Sequence, residues 1–240
     1  MSEQLSSSPQ KKSRTELIVV LDVDSREEAL ATVQACGDCR WYKIGSQLFT
    51  RCGPAIVKEI QALGKQVFLD LKFHDIPNTV AHGASAAAAL QVGLFTLHAL
   101  GGRKMISAAR EAVKGTSTRI LAVTILTSHS DEALRQEIGL QESAAEAVPR
   151  LAQMAIASGA HGIVCSPQEI TRVREAVGPD PIIVTPGIRP AWAATDDQVR
   201  IMTPAEAARA GSSMIVVGRP ILKHSNPAEA VRKIEEELNT

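Results

Sequence analysis

One rhythm constrains this chain more than any other feature. Val/Ile-rich runs recur roughly every 20 to 30 residues, and each is followed by an Ala/Glu/Arg-rich stretch with helical spacing. The apolar runs lie at 16–22, 41–45, 66–72, 94–99, 120–126, 162–166, 182–186 and 213–218. The helical stretches lie at 25–35, 54–63, 78–91, 104–113, 144–158, 167–176, 204–210 and 227–238. A strand buried on both faces must be apolar throughout, and its parallel crossover must be covered by a helix, so the pattern calls for βα units.

Two architectures use such units. An open dinucleotide-binding sheet announces itself by a Gly-rich first turn, and the first turn here, Leu21-Asp22-Val23-Asp24-Ser25, has no glycine. Eight units in 240 residues match a closed barrel, and no linker or composition break divides the chain. The expectation is a single-domain α/β protein, a (β/α)8 TIM barrel over residues 15–240, preceded by a disordered polar tail at 1–14. Local signals agree: Ser25 followed by Glu28 resembles a capping box, and Pro54, Pro167, Pro204 and Pro227 sit where a first helical turn tolerates proline.

Composition narrows the partners. Lys plus Arg and Asp plus Glu both count 26, and the one basic run is Lys11-Lys12-Ser13-Arg14 in the tail. Nucleic-acid and anionic-membrane surfaces need clustered positive charge, so neither partner is expected. No window approaches the roughly 18 apolar residues that span a bilayer, and the tail lacks the apolar stretch of a secretory signal. The protein is therefore expected in the cytoplasm. With aromatics at 3%, the core has to be aliphatic. Cys36-Gly37-Asp38-Cys39 has the spacing of a redox pair or half a metal site, but no second CxxC or nearby His pair accompanies it, which favours ordinary thiols.

In a barrel of this kind, chemistry sits at the C-terminal ends of the strands. Those ends read Asp22, Lys43, Asp70 with Lys72, His98, Thr127, Ser166, Arg189 and Arg219. A purely structural core would not gather so many ionisable groups on one rim. The richest segment is Phe68-Leu69-Asp70-Leu71-Lys72-Phe73-His74-Asp75-Ile76-Pro77-Asn78-Thr79. Side chains alternate along a strand, so Asp70 and Lys72 share one face while Leu69, Leu71 and Phe73 take the other. The apolar set packs beneath helices, which aims Asp70 and Lys72 into the barrel mouth. Asp75 follows in the loop, and Lys43 has the parity to join from the neighbouring strand. Two carboxylates around an ammonium are costly to bury unless paired or used, so this is either a salt-bridge cluster or an active site.

A second region runs Val184-Thr185-Pro186-Gly187-Ile188-Arg189-Pro190, and Gly218-Arg219-Pro220 follows the last strand. Barrels often bind phosphate with the loops after strands seven and eight. Gly218 lets backbone N–H groups approach an anion, Arg219 offers a charged fork, and Arg189 stands on a Gly/Pro-hinged stretch long enough to act as a lid. His74 and His82 differ in context and lack a third ligand, so no metal is expected. Ser166 lies in no G-x-S-x-G elbow.

At these residues the chain resembles the orotidine 5′-phosphate decarboxylase family, its bacterial branch most closely. The resemblance is carried by Asp70-Leu71-Lys72-Phe73-His74-Asp75-Ile76-Pro77-Asn78-Thr79. It is supported by Leu21-Asp22, Lys43-Ile44-Gly45, Leu126-Thr127-Ser128, Thr185-Pro186-Gly187-Ile188-Arg189-Pro190 and Gly218-Arg219-Pro220, from about Glu16 to the C-terminus. It implies a cofactor-free decarboxylation of orotidine 5′-monophosphate to uridine 5′-monophosphate in pyrimidine synthesis. Lys43, Asp70, Lys72 and Asp75 match the family's charged tetrad, with Lys72 as proton donor and Asp75 supplied across a homodimer interface. Asp22, Lys43 and the partner's equivalent of Thr79 match ribose contacts; Thr127 and Gln198 match contacts to the pyrimidine edge. Gln198, Arg189, Gly218 and Arg219 match the phosphate contacts, and Pro186 belongs to the same substrate-binding set. Two rivals remain at this point: a metal-dependent sugar-phosphate decarboxylase of the same superfamily, and a non-catalytic barrel that senses a phosphorylated metabolite.

Overall fold

The computed structural model describes residues 15–193 and 202–240. The polar tail at 1–14 and the stretch holding Gln198 lie outside the described residues. Parallel strands β1 (Glu16–Val20), β2 (Trp41–Gly45), β3 (Gln66–Phe73), β4 (Leu94–His98), β5 (Arg119–Val123), β6 (Gly162–Val164), β7 (Ile182–Thr185) and β8 (Met214–Val217) pair in chain order, and β8 closes onto β1. Around them run α1 (Arg26–Ala35), α2 (Ser46–Cys52), α3 (Ala55–Ala62), α4 (Pro77–Ala89), α5 (Gly102–Ala112) and α6 (Asp131–Gln136). The ring continues with α7 (Ala144–Ala157), α8 (Ile170–Val177), α9 (Pro204–Ala210), α10 (Arg219–Leu222) and α11 (Pro227–Glu237). The closed (β/α)8 barrel expected from the apolar rhythm is what forms. No helix among the described residues is long and apolar enough to cross a membrane.

Strand alternation divides the apolar residues into two packed sets. One fills the barrel: Ile18, Val20, Phe68, Leu94, Leu121, Val184, Met214 and Val216, with Trp41, Val164 and Ile182 against them. The other, including Val19, Tyr42, Leu69, Phe95 and Ile163, packs under the helices. Interior and exterior residues alternate along each strand, as a filled barrel requires.

The structure departs from the sequence expectation in local ways. Three short helices, α2, α6 and α10, of 7, 6 and 4 residues, had no counterpart in the apolar pattern. The stretch 167–176 divides into a 3-10 turn, Pro167–Glu169, and α8. Pro167, Pro204 and Pro227 open their helical turns, but Pro54 stands one place earlier, as the N-cap of α3. The capping box at α1 is half made. The Ser25 hydroxyl accepts from the Glu28 N–H at 3.2 Å, but Glu28 reaches back to the N–H of Asp24 at 3.0 Å rather than that of Ser25. A complete box caps α9, where Glu206 accepts from the Thr203 N–H at 2.9 Å and Thr203 Oγ1 accepts from the Glu206 N–H at 3.3 Å.

Cys36 and Cys39 are buried with Tyr42 between α1 and β2. Burial pushes their thiols up, to about 11 and about 12, so neither is a ready thiolate and the ordinary-thiol reading fits.

Candidate active site

The interior parity that builds the core also builds the site. Going up β1, the inward residues are Ile18, Val20 and then Asp22; up β2, Trp41 and Lys43; up β3, Phe68 and Asp70; up β4, Leu94, Thr96 and His98. The lower members fill the barrel with apolar side chains, and the upper members turn polar where the barrel opens. The result is a cavity of about 340 Å³ at the C-terminal mouth. That size accommodates a metabolite-sized ligand. Asp22, Lys43, Asp70 and Lys72 line it from the first three strands, Thr127 from the loop after β5, and Pro186, Arg189, Gly218 and Arg219 from the ends of β7 and β8.

The charges on the β1–β3 side interlock. Lys43 Nζ lies 3.4 Å from Asp22 Oδ1 and 3.5 Å from Asp70 Oδ2, and Lys72 Nζ lies 2.9 Å from the same Asp70 oxygen. Asp70 is thus the hub, with 11% of its side chain exposed against 37% for Lys72 and 58% for Asp22. Burial alone would raise the Asp70 carboxyl, but the charges of Lys43 and Lys72 and the hydrogen bonds from Lys72 and Thr96 outweigh it and hold it below the ordinary value. Asp70 is therefore anionic at neutral pH, and the two ammonium groups stand beside it. Gly45 makes room for this: a Cβ there would come within 3.0 Å of Lys43 Nζ and 3.4 Å of Asp22 Oδ1.

Lys72 is delivered by an irregularity. Pairing of β3 with β4 runs Leu69 with Phe95 and then Phe73 with Leu97, so four steps along β3 match two along β4. Within this bulge Lys72 takes a left-handed backbone, φ 52°. A non-glycine residue pays roughly 1–2 kcal/mol for that conformation, and bulges of this kind re-aim side chains next to functional sites. Beyond the bulge, the Phe73 ring rests on Phe95 at 5.7 Å and the His74 ring on His98 at 5.4 Å. His98 is half-buried, and burial, with the nearby His74 and Lys72, keeps it below its ordinary pKa.

The sequence-predicted residues divide three ways. Asp22, Lys43, Asp70, Lys72, Thr127, Pro186, Arg189, Gly218 and Arg219 come together around one cavity. Asp75 and Thr79 do not line it; they lie in an exposed run, 74–79, where Asp75 Oδ1 accepts the Ile76 N–H at 2.6 Å and Ile76 is 67% exposed. Gln198 lies outside the described residues. Arg189 is 6% exposed; its N–H donates to Met202 O at 3.0 Å and its guanidinium to Ile188 O at 3.1 Å. Thr96 and Gly45 had no place among the predicted roles. Thr96 sits two places before His98 on the same face, and that parity was the available signal.

This geometry defines a class: a TIM barrel whose mouth carries an interlocked carboxylate–ammonium chain on one side and two arginines with a glycine turn on the other. Residues 15–234 match the model of the orotidine 5′-phosphate decarboxylase / HUMPS family, and the chain belongs to that family. It is 49% identical over 238 residues to an orotidine 5′-phosphate decarboxylase of Heliobacterium modesticaldum, covering 95% of this chain and 97% of that one. It is 54% identical over 202 residues to the enzyme of that name from Geobacter sulfurreducens, covering 82% and 84%. Among solved structures, orotidine 5′-phosphate decarboxylase from Lactobacillus acidophilus superimposes with a TM-score of 0.85 at 42% identity, over 95% of this chain and all of the other.

Proposed function

We propose that this protein decarboxylates orotidine 5′-monophosphate to uridine 5′-monophosphate, without a cofactor, in the pyrimidine synthesis of the cytoplasm. The observation that carries the reading is the Lys72 ammonium held 2.9 Å from the anionic Asp70 inside the mouth cavity. Family membership and the relatives' identities support the same substrate.

The chemistry follows from that charge arrangement. When the C6–carboxylate bond breaks, CO2 departs and its bonding electrons remain on C6 as a localised carbanion. A fixed cation beside C6 stabilises that charge without reorganising, which is where a buried site outperforms water. Lys72 is this cation, and transfer of its proton to C6 completes uridine 5′-monophosphate; the resulting amine regains a proton from solvent. Asp70 orients the Lys72 ammonium before the reaction, and Lys43 in turn fixes Asp70 while pairing with Asp22. Asp22 and Lys43 hold the ribose hydroxyls in this reading, and Thr127 and Gln198 take the pyrimidine edge. Arg189 and Arg219 take the phosphate beside Gly218, with Gln198 and Pro186 completing that end. Phosphate held far from C6 lends binding energy to the chemistry.

The site is shared between two copies of the chain. Asp75 and Thr79 stay off their own cavity while Ile76 stands bare between them, as residues meant for a partner would. In the homodimer, Asp75 of one copy completes the charge set around Lys72 of the other, and Thr79 reaches the partner's ribose site.

The test is an absorbance assay with orotidine 5′-monophosphate, run with and without excess EDTA. Equal, complete conversion to uridine 5′-monophosphate in both is expected. No conversion by folded protein would refute the assignment, and EDTA-sensitive turnover of a sugar phosphate instead would favour the metal-dependent branch of the superfamily.

A further inference from the structure

Strand β4 brings no residue to the cavity wall, yet one of its side chains ties together the two residues on which the chemistry rests. Thr96 is 1% exposed and lies opposite the bulge in β3. Its hydroxyl accepts the backbone N–H of Lys72 at 2.9 Å and donates to Asp70 Oδ1 at 2.9 Å. Only one orientation of the hydroxyl satisfies both contacts. An amide N–H can only donate, so the oxygen has to accept there, and its single proton is left for the carboxylate.

Two consequences follow from that orientation. The bond to Oδ1 sets the turn of the Asp70 carboxylate, whose other oxygen faces the lysines: Lys43 and Lys72 both converge on Oδ2, at 3.5 and 2.9 Å. The same hydroxyl also pins the backbone at the residue whose left-handed φ of 52° directs its side chain into the mouth. Without it, a part-buried amide N–H would lose its partner and the bulge its anchor.

We propose that Thr96 is the positioning residue of this site: through one hydroxyl it sets the direction of the Asp70 carboxylate and holds the backbone that aims Lys72. The inference deepens the decarboxylase reading and rests on it for its kinetic readouts. It touches no substrate; it acts through Asp70 and Lys72.

Thr96→Val keeps the shape and removes the hydroxyl; Thr96→Ser keeps the hydroxyl. Misplacing a catalytic group by a fraction of an ångström to an ångström costs rates on the order of 10²-fold. Thr96→Val is therefore expected to lose roughly that factor in kcat with KM changed less than about threefold, and Thr96→Ser to recover most of it. A hydrogen bond that lowers the Asp70 carboxyl is lost in the valine variant, so the acid limb of its kcat profile moves to higher pH. Carboxyl NMR of Asp70 in the wild type and in Thr96→Val gives a readout independent of turnover, with the carboxyl titrating higher in the variant. Unchanged kcat, or an unmoved Asp70 titration, or a serine variant as impaired as the valine one, would each overturn the role of Thr96. Failure of the wild type to convert orotidine 5′-monophosphate would instead sink the decarboxylase reading, and leave the NMR test standing on its own.

Discussion

At the N-terminal end of the barrel, the Arg174 guanidinium donates to the carbonyls of Gly178, Pro179, Pro181 and Gly211 and to the Ser213 hydroxyl, at 2.8–3.2 Å. At the C-terminal mouth, the Lys72 ammonium meets one carboxylate oxygen, and Lys43 sits between two carboxylates. Both ends place cations among packed residues. The floor surrounds its cation with neutral backbone oxygens, and nearby polar groups do the same: Thr15 Oγ1 donates to Ser212 O and Thr118 Oγ1 to Val92 O. The mouth balances charge against charge, with ammonium groups still accessible to the cavity. A cation bonded to several backbone carbonyls ties loops together and adds stability; charges left partly open can act on a ligand.

The comparison is sharpest in the proposed homodimer, where Asp75 of a second copy completes the mouth. Lys72→Ala and Asp75→Asn proteins should each be inactive, yet a mixture after subunit exchange should regain about a quarter of wild-type activity, because half the dimers form hybrids with one intact site. No recovery after proven exchange would mean that each chain completes its own mouth. The floor breaks differently. Arg174→Met removes the donor of five hydrogen bonds and should destabilise the fold by about 2–4 kcal/mol, read from chemical denaturation. The kcat of the protein still folded should hardly change; a kcat that falls with it would erase the distinction between the two ends.

Acid probes a smaller effect. His161, at the foot of β6, accepts the Ile120 N–H at 2.9 Å through Nδ1 and so has to stay neutral. Burial, then Arg110 and Arg119, hold it below the ordinary 6.5. The unfolded chain therefore takes up this proton first as pH falls below 6.5, and stability is lost in that direction. His98 at the mouth contributes with the same sign. His161→Asn, whose Oδ1 can replace Nδ1, should flatten the acid side of a Tm-versus-pH curve; an unaltered slope would assign the acid sensitivity to the mouth. Least of all should matter the surface pair Arg26–Glu59, 2.7 Å long but with half of the Arg26 side chain in water. Arg26→Ala should leave both Tm and kcat within measurement error.

The sequence made the strands legible because each is an apolar run whose removal from water drives the fold, and the rim residues because polar groups at the tops of such runs stand out. Asp70 and Lys72 could be placed on one face by parity alone. Their delivery could not: the bulge at Lys72 contains no glycine to mark it, and its left-handed backbone is held by Thr96, a contact between residues 24 positions apart. Thr96 itself reads as an ordinary β-branched strand residue until its hydroxyl is seen between Lys72 and Asp70. The partner-site roles of Asp75 and Thr79 rest on the family resemblance, and the single chain shows only that both are exposed. Helix α10 escaped notice because its four residues follow the strand's own end at Gly218 with no polar spacer.

The central claim is that the mouth's charges serve chemistry while the floor's serve stability. Its most direct test is Lys72→Ala, measured for turnover of orotidine 5′-monophosphate, for nucleotide affinity and for unfolding free energy on the same preparation. The account predicts a loss of at least about 10³-fold in kcat. Affinity for uridine 5′-monophosphate should stay largely intact, and stability should change by less than about 1 kcal/mol, since the Lys72–Asp70 pair is partly open to solvent. Residual turnover near the wild-type rate, or a loss of stability as large as that of Arg174→Met, would contradict it.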